Sequence, residues 1–287
     1  MRFLLTGSTA RGLRRSGVNL LAGRALTYHM HPLIEQELDQ SFHISQVLRY
    51  GSLPSIFDHA DPEKYLQSYV QTYIREEVIQ EGLIRNISAF ARFLETASFS
   101  QGQILNISEI ARELSLNRLI VSAYFDILED LLLAIRILPF THRAKRKIIA
   151  HQKFYFFDVG VYNAIRPRGP LDTIQEAEGA GLETFFLQSL RAVNDYYSLN
   201  YSIFFWRTAI GQEVDFILYG PRGLYAFELK RSEKITPKSL KGLKSFGQDY
   251  PEAKKFLIYQ GEHPQYHGDI TILPITEALR TLPEILA

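Results

Sequence analysis

The chain has no cysteine, two methionines and one tryptophan among 287 residues. Disulfides and thiolate zinc sites are thereby excluded, and a reducing interior is the expected setting. An excess of one charge sign is also missing, with 32 Lys and Arg against 31 Asp and Glu and a formal net charge of +1. Contact with nucleic acid must then come from local patches rather than a global field. The longest apolar stretch, 116–140, is broken by Arg118, Asp126, Glu129, Asp130 and Arg136, so it cannot cross a bilayer as a continuous apolar helix. The first residues lack the apolar core and cleavage site of a secretory signal. These features predict a cytoplasmic protein with no membrane partner. No G-x-x-x-x-G-K-[ST] loop occurs to cradle phosphates, so neither ATP as a cofactor nor its hydrolysis is expected.

What the chain does have is 46% hydrophobic residues, ample for compact cores, and a length that suggests about two domains. Its most informative segment is GQEVDFILYGPRGLYAFELK, from Gly211 to Lys230. The turn Gly220-Pro221-Arg222-Gly223 folds Glu213–Tyr219 back on Leu224–Lys230 as a hairpin. Strand side chains alternate, so Glu228 and Lys230 share a face, and the same parity lets Asp215 meet them. Paired carboxylates of this kind hold a hard divalent cation, Mg2+ or Mn2+, and a nearby lysine orients water or offsets developing negative charge. The alternative is a surface hairpin whose acids and lysine form solvated ion pairs worth under ~1 kcal/mol. A second E-x-K, Glu252–Lys254, precedes a strand and has no upstream hairpin presenting an aspartate.

Gly181–Leu190 has apolar residues at helical spacing with Glu183 in its first turn, where the acid could serve only as a favourable charge at a helix N-terminus. A helix bearing a glutamate, the strand Phe204-Phe205-Trp206-Arg207-Thr208 leading into Glu213-Val214-Asp215-Phe216, and the E-x-K strand together resemble the PD-(D/E)xK nuclease superfamily. Residues 60–287 resemble more narrowly the C-terminal domain of unknown function that follows AAA-type ATPase cores, through Tyr65–Val78, Lys153–Val161, Gly181–Leu187 and Trp206–Lys230. The resemblance implies a nuclease-like site of Glu183, Asp215, Glu228 and Lys230, with Glu183, Asp215 and Glu228 as metal ligands and Glu213 as an accessory group. It implies nucleic acid, DNA in the first place, as partner.

In the middle of the chain, Asn106–Leu114 opens with a capping-box signature and continues with apolar positions at helical spacing. A short turn and an amphipathic helix over Arg118–Leu132 follow, suggesting helix-turn-helix. Val121, Phe125, Leu128 and Leu132 are the expected core face, leaving Arg118, Ser122, Asp126 and Glu129 outside. Leu133–Phe140 and Ile148–Phe157 read as two strands joined by a basic loop, the layout of a winged helix. Arg143, Lys145, Arg146 and Lys147 in that loop are the candidate nucleic-acid contacts, the alternative being a solvated loop. The two acids on the second helix favour a winged helix that packs domains together over one that reads DNA.

Tyr65–Ile84 reads as an amphipathic helix without chemistry. His29 and His31 fall on what reads as a short strand, and the eight histidines offer no ligand set. Lys238, Lys241 and Lys244 recur on one helix, for which a solvated face is favoured over a nucleic-acid groove. Pro237–Phe246 and Thr276–Leu286 read as helices, and Lys255–Tyr259 and Ile270–Leu273 as strands.

At the N-terminus, Arg2–Ser8 resembles the late strand of an AAA-type ATPase that ends in its sensor residue. Leu21–Ala25 and His31–Leu38 resemble the segment closing that core, with Thr6, Ser8 and Arg24 at nucleotide-site positions. The expected organisation is thus α/β (α+β): residues 1–40 a C-terminal remnant of an AAA-type core, 41–157 a helical and winged-helix domain, and 158–287 a PD-(D/E)xK nuclease-like domain. The open edge of the remnant's strand predicts self-association. The two functional readings are a metal-dependent nuclease-like protein and a non-catalytic regulatory, DNA-binding or assembly module of an AAA-type ATPase.

Overall fold

The structure, a computed structural model, describes residues 26–74, 76, 78, 84, 86–167, 169 and 174–287. Arg2–Ser8, with Thr6 and Ser8, and Arg24 lie outside the described residues, and so does the strand edge expected to self-associate.

Among the described residues, four short helices come first, α1 (Glu35–Leu38), α2 (Ile44–Tyr50), α3 (Pro54–Phe57) and α4 (Pro62–Ser68), the last continuing as a π-helical turn over Tyr69–Ile74. Then follow α5 (Ile87–Ser98), β1 (Gln103–Ile104), α6 (Ile107–Leu114), α7 (Arg118–Asp130), β2 (Ala134–Pro139) and β3 (Lys153–Phe156). Beyond them lie α8 (Val159–Ile165), α9 (Ile174–Tyr196), β4 (Ser202–Arg207), β5 (Glu213–Gly220), β6 (Gly223–Lys230) and α10 (Lys241–Asp249). The chain closes with β7 (Lys254–Tyr259), β8 (Gln265–His267), β9 (Ile270–Pro274), α11 (Ile275–Arg280) and α12 (Leu282–Leu286). The nine strands of the described residues form one mixed sheet in the order β1-β3-β2-β4-β5-β6-β7-β9-β8, in keeping with the α+β expectation.

Local chemistry sets the helix-turn-helix. The Asn106 side chain accepts the Glu109 N–H at 3.2 Å and donates to the Glu109 carboxylate at 3.0 Å, fixing the start of α6. Ser115, with φ +53°, stops α6 in the left-handed region, and Asn117 caps α7 through the Leu119 N–H. Helix α7 buries Val121, Phe125 and Leu128 as its periodicity requires. Leu132 departs from that face. It lies past the helix end with φ +59° and is about half exposed, because the chain must reverse there to enter β2.

Three apolar clusters organise the rest. Phe185, Phe186 and Leu190 of α9 pack against Phe216, Tyr225 and Phe227 on one side of the sheet, together with Ile34, Leu38 and Val47. Leu243 and Phe246 of α10 pack on the other side against Trp206, Ile217 and Ala226. The third cluster holds α5, α6 and α7 together with Phe154 and Phe156 of β3 and Val161, Tyr162 and Ile165 of α8. Strand β2 pairs antiparallel with β3 and parallel with β4, so the sheet runs unbroken past residues 157 and 158.

Several local expectations are corrected. Residues 26–34 contain no strand, and His31 instead bonds Asp195 through Nε2 at 2.7 Å. The strand expected over Ile148–Phe157 is confined to β3, while Ile148 makes only an isolated bridge to Thr208. Helix α9 extends well upstream of Gly181, so Glu183 sits in its middle and cannot act as an N-terminal charge.

Gly242 shows how tightly α10 seats on the sheet. A Cβ there would lie 2.0 Å from the Glu213 carbonyl oxygen, a backbone atom that has no room to yield. Gly242→Ala is therefore expected to destabilise the fold by about 1–3 kcal/mol through overpacking. Urea denaturation of the two proteins checks this, with an unchanged midpoint as the contrary result.

Candidate functional site

The site begins where two strands part. The β5–β6 ladder runs from Gly220↔Gly223 to Phe216↔Phe227, while the start of β5 stays paired with β4 through Arg207↔Glu213 and Trp206↔Val214. In the opening, the Leu229 N–H donates not to a backbone carbonyl but to Oδ2 of Asp215, at 2.9 Å. Asp215 therefore grips the residue between Glu228 and Lys230. Lys230 Nζ in turn donates to Oε1 of Glu228 at 2.5 Å. The three residues expected from strand parity are together.

The fourth, Glu183, arrives from α9, held in place by the hydroxyl of Tyr155 donating to its Oε2 at 2.8 Å. What joins Glu183 to Asp215 is Lys153 of β3, whose side chain is 3% exposed. Its Nζ lies 3.5 Å from Glu183 Oε2, 2.7 Å from Glu213 Oε1 and 3.6 Å from Asp215 Oδ1. Glu213 also meets Arg207, Nη1 to Oε2, at 3.2 Å. The expected accessory acid is thus a bridge between two cations.

The electrostatics follow from burial. Desolvation raises the Glu183 carboxyl to about 7; Lys153 opposes that rise and Asp215 adds to it. Burial followed by the charge of Asp215 pushes Glu228 well above the carboxylate range, against the pull of Lys230. Burial works against the charge of Lys153, yet Glu183, Tyr155, Asp215 and Glu213 outweigh it and hold the ammonium well above its ordinary range. The outcome for Lys230 is the same in direction, with Glu228 as its main partner. Four carboxyl groups here face two lysines and Arg207, and the upward shifts of Glu183 and Glu228 relieve the crowding of acids.

Magnesium and manganese take hard oxygen donors, and carboxylates supply them. Among the described residues, Oε2 of Glu228 is buried and has no hydrogen-bond partner. The donor chemistry therefore fits a divalent cation. Among the described residues, however, no group of three or more His, Cys, Asp or Glu side chains is arranged to hold a metal ion. Lys153 already draws Glu183, Glu213 and Asp215 onto itself.

Sequence reasoning missed Lys153, Tyr155 and Arg207 as site residues. The signal for the first two was a lysine inside the apolar run Lys153-Phe154-Tyr155-Phe156, with a tyrosine two positions on and so on the same strand face. Burial separates Lys153 from the basic loop that precedes it. Arg143, Lys145 and Lys147 of that patch are exposed on the β2–β3 loop. Arg146 is not free: it bonds Asp249, Gln212, Ser245 and Gln248, and so fastens the loop to α10. The acids Asp126 and Glu129 of α7 are neutralised by Arg136 of β2. Lys238, Lys241 and Lys244 are exposed, Lys244 meeting His267 at 2.8 Å. At the second E-x-K, Lys254 bonds the Tyr225 hydroxyl. No described helix is long and apolar enough to cross a membrane.

The geometry defines an α+β protein with a buried carboxylate–lysine centre, and known proteins resemble the chain in two consecutive segments. Residues 41–172 match a domain of unknown function, DUF8612, and residues 178–278 match another, DUF4143. The chain is similar over its whole length to two uncharacterized proteins, Mb2031c of Mycobacterium bovis and Rv2008c of Mycobacterium tuberculosis, each 26% identical over 294 residues. It spans 65% of their length. No solved structure matches.

The raised carboxyls have a measurable consequence. The folded protein binds protons at Glu183, and at the buried Asp158 raised by desolvation to about 6, that the unfolded chain has already released. Stability is then expected to fall as pH rises from about 4 to 7, the window between the unfolded and folded values of these groups. Denaturation at several pH values checks the slope, and Glu183→Gln should flatten it. An unchanged slope in that variant would assign the effect to other groups.

Proposed function

We propose that the chain is a metal-dependent, nuclease-like nucleic-acid-processing protein of the PD-(D/E)xK type. The observation supporting this reading is the grip of Asp215 on the backbone between Glu228 and Lys230. Two carboxylates and an amine from separate strands are thereby held in one fixed arrangement. A Mg2+ or Mn2+ ion bound there would polarise a phosphodiester and lower the pKa of its water. Asp215 and the unpartnered oxygen of Glu228 would hold the ion, with Glu183 beside them. Lys230, protonated, would face the anionic phosphate and offset the charge that develops on it.

The order α5–β1–α6–α7–β2–β3, with its antiparallel β1-β3-β2 sheet, supports a winged helix whose loop offers Arg143, Lys145 and Lys147 to phosphate. DUF4143 usually accompanies AAA-type ATPase regions, which supports reading residues 1–40 as the end of such a core.

A second reading is favoured by Lys153. An ammonium already neutralising three acids suits a centre that keeps the fold without the chemistry, serving as a regulatory or assembly module of an ATPase. Calorimetry separates the two, since no magnesium binding at millimolar concentration would leave only the second.

Under the nuclease reading, Mg2+- or Mn2+-dependent cleavage of DNA is expected, reduced by about 10²-fold or more in Asp215→Ala and in Lys230→Ala. Equal activity of wild type and Asp215→Ala would place the cutting in a contaminant. Lys145→Ala and Lys147→Ala should each lower the salt dependence of DNA binding by about one unit of slope. An unaltered slope would remove the loop from the interface.

A further inference from the structure

Lys153 is a strange residue to bury. An ammonium taken from water costs on the order of several kcal/mol, recovered only where excellent partners surround it. Here the partners are three acids contributed by α9 and β5, and two of them, Glu183 and Asp215, are proposed to hold a divalent cation. The remaining proposed ligand, Glu228, is 7% exposed, and its Oε2 has no partner. Two cations therefore have a claim on the same carboxylates, one carried by the chain and one from solution.

We propose that Lys153 is a built-in competitor of the divalent cation, its ammonium standing in for the ion until the ion displaces it. This rests on the metal-dependent reading and specifies how the same centre is regulated. With Lys153 inserted, Glu183, Glu213 and Asp215 are satisfied and the centre is closed. When an ion takes Asp215 and Glu228, Coulomb repulsion between it and the ammonium expels Lys153 towards solvent, leaving Glu213 with Arg207. Weak binding in the resting protein is the consequence, because each ion bound must first break three ion pairs.

The test uses the full chain and MnCl2 alone as probe. Calorimetry at neutral pH is expected to show millimolar binding by wild type and binding tighter by about tenfold or more in Lys153→Met, which keeps the length of the side chain and removes its charge. Equal or weaker binding in the variant overturns the proposal while leaving a metal site intact. Absence of binding in both proteins overturns it together with the metal-dependent reading.

A wild-type measurement covers a variant that fails to fold. Reductive methylation read by peptide mass mapping is expected to spare Lys153 without Mn2+ and to modify it as millimolar Mn2+ is added. Protection that does not change with Mn2+ overturns the displacement. Tighter Mn2+ binding by the variant with no DNA cleavage by either protein upholds the competition and removes the nuclease activity, so the two ideas fail separately.

Discussion

The ammonium of Lys153 among Glu183, Glu213 and Asp215 is the contact on which the organisation of this molecule turns. It joins β3, α9 and β5, elements far apart in the chain, with the lysine buried and Glu183 and Glu213 still partly open to water. Each of the four groups would be costly to bury alone. Breaking the set from one side leaves uncompensated charge on the other, so the helical part and the strand-rich part are committed to one arrangement. The Tyr155 hydroxyl donates to the same Glu183 oxygen that the lysine meets, and the Arg207 guanidinium takes the second oxygen of Glu213.

Layering places the opposing groups. Helix α9 covers one face of the sheet and α10 the other, each through a dense aromatic and aliphatic cluster. Tyr225, Phe227 and Leu229 of β6 turn towards α9, while Leu224 and Ala226 turn towards α10. Alternation then carries Glu228 and Lys230 to the α10 side, where the close approach at Gly242 brings the helix start within reach of Glu228. Asp215, lying where β5 and β6 separate, connects the two faces by bonding in the plane of the sheet. A hydrophobic sandwich is thus opened at one spot, and the opening is lined with charge.

Much of this was legible in the residues. Parity along Leu224–Lys230 was enough to pair Glu228 with Lys230, and the Gly220–Gly223 turn was enough to bring Asp215 near, because hairpin geometry is local. The helix-turn-helix was legible for the same reason, through Asn106, Ser115 and Asn117. Lys153 was not. A lysine at the start of an apolar strand reads equally well as a solvated end, and only long-range pairing shows that acids surround it. Arg146 was indistinguishable from Arg143 and Lys145 until the loop was seen folded onto Asp249. The extent of α9 was hidden because the helical spacing of apolar residues becomes clear only from Gly181, although the α9 backbone runs through that glycine. His29 and His31 suggested a strand, whereas the described residues 26–34 form none and His31 turns to Asp195.

Strand β3 has two allegiances. Lys153 and Tyr155 belong to the charged centre, while Phe154 and Phe156, on the opposite pleat, are locked in the core of the helix-turn-helix. A four-residue strand so loaded works as a lever with a short arm. The charged centre and the helical module therefore share the same four residues as their meeting point, with Lys153 on one pleat and the two aromatic rings beneath α7 on the other.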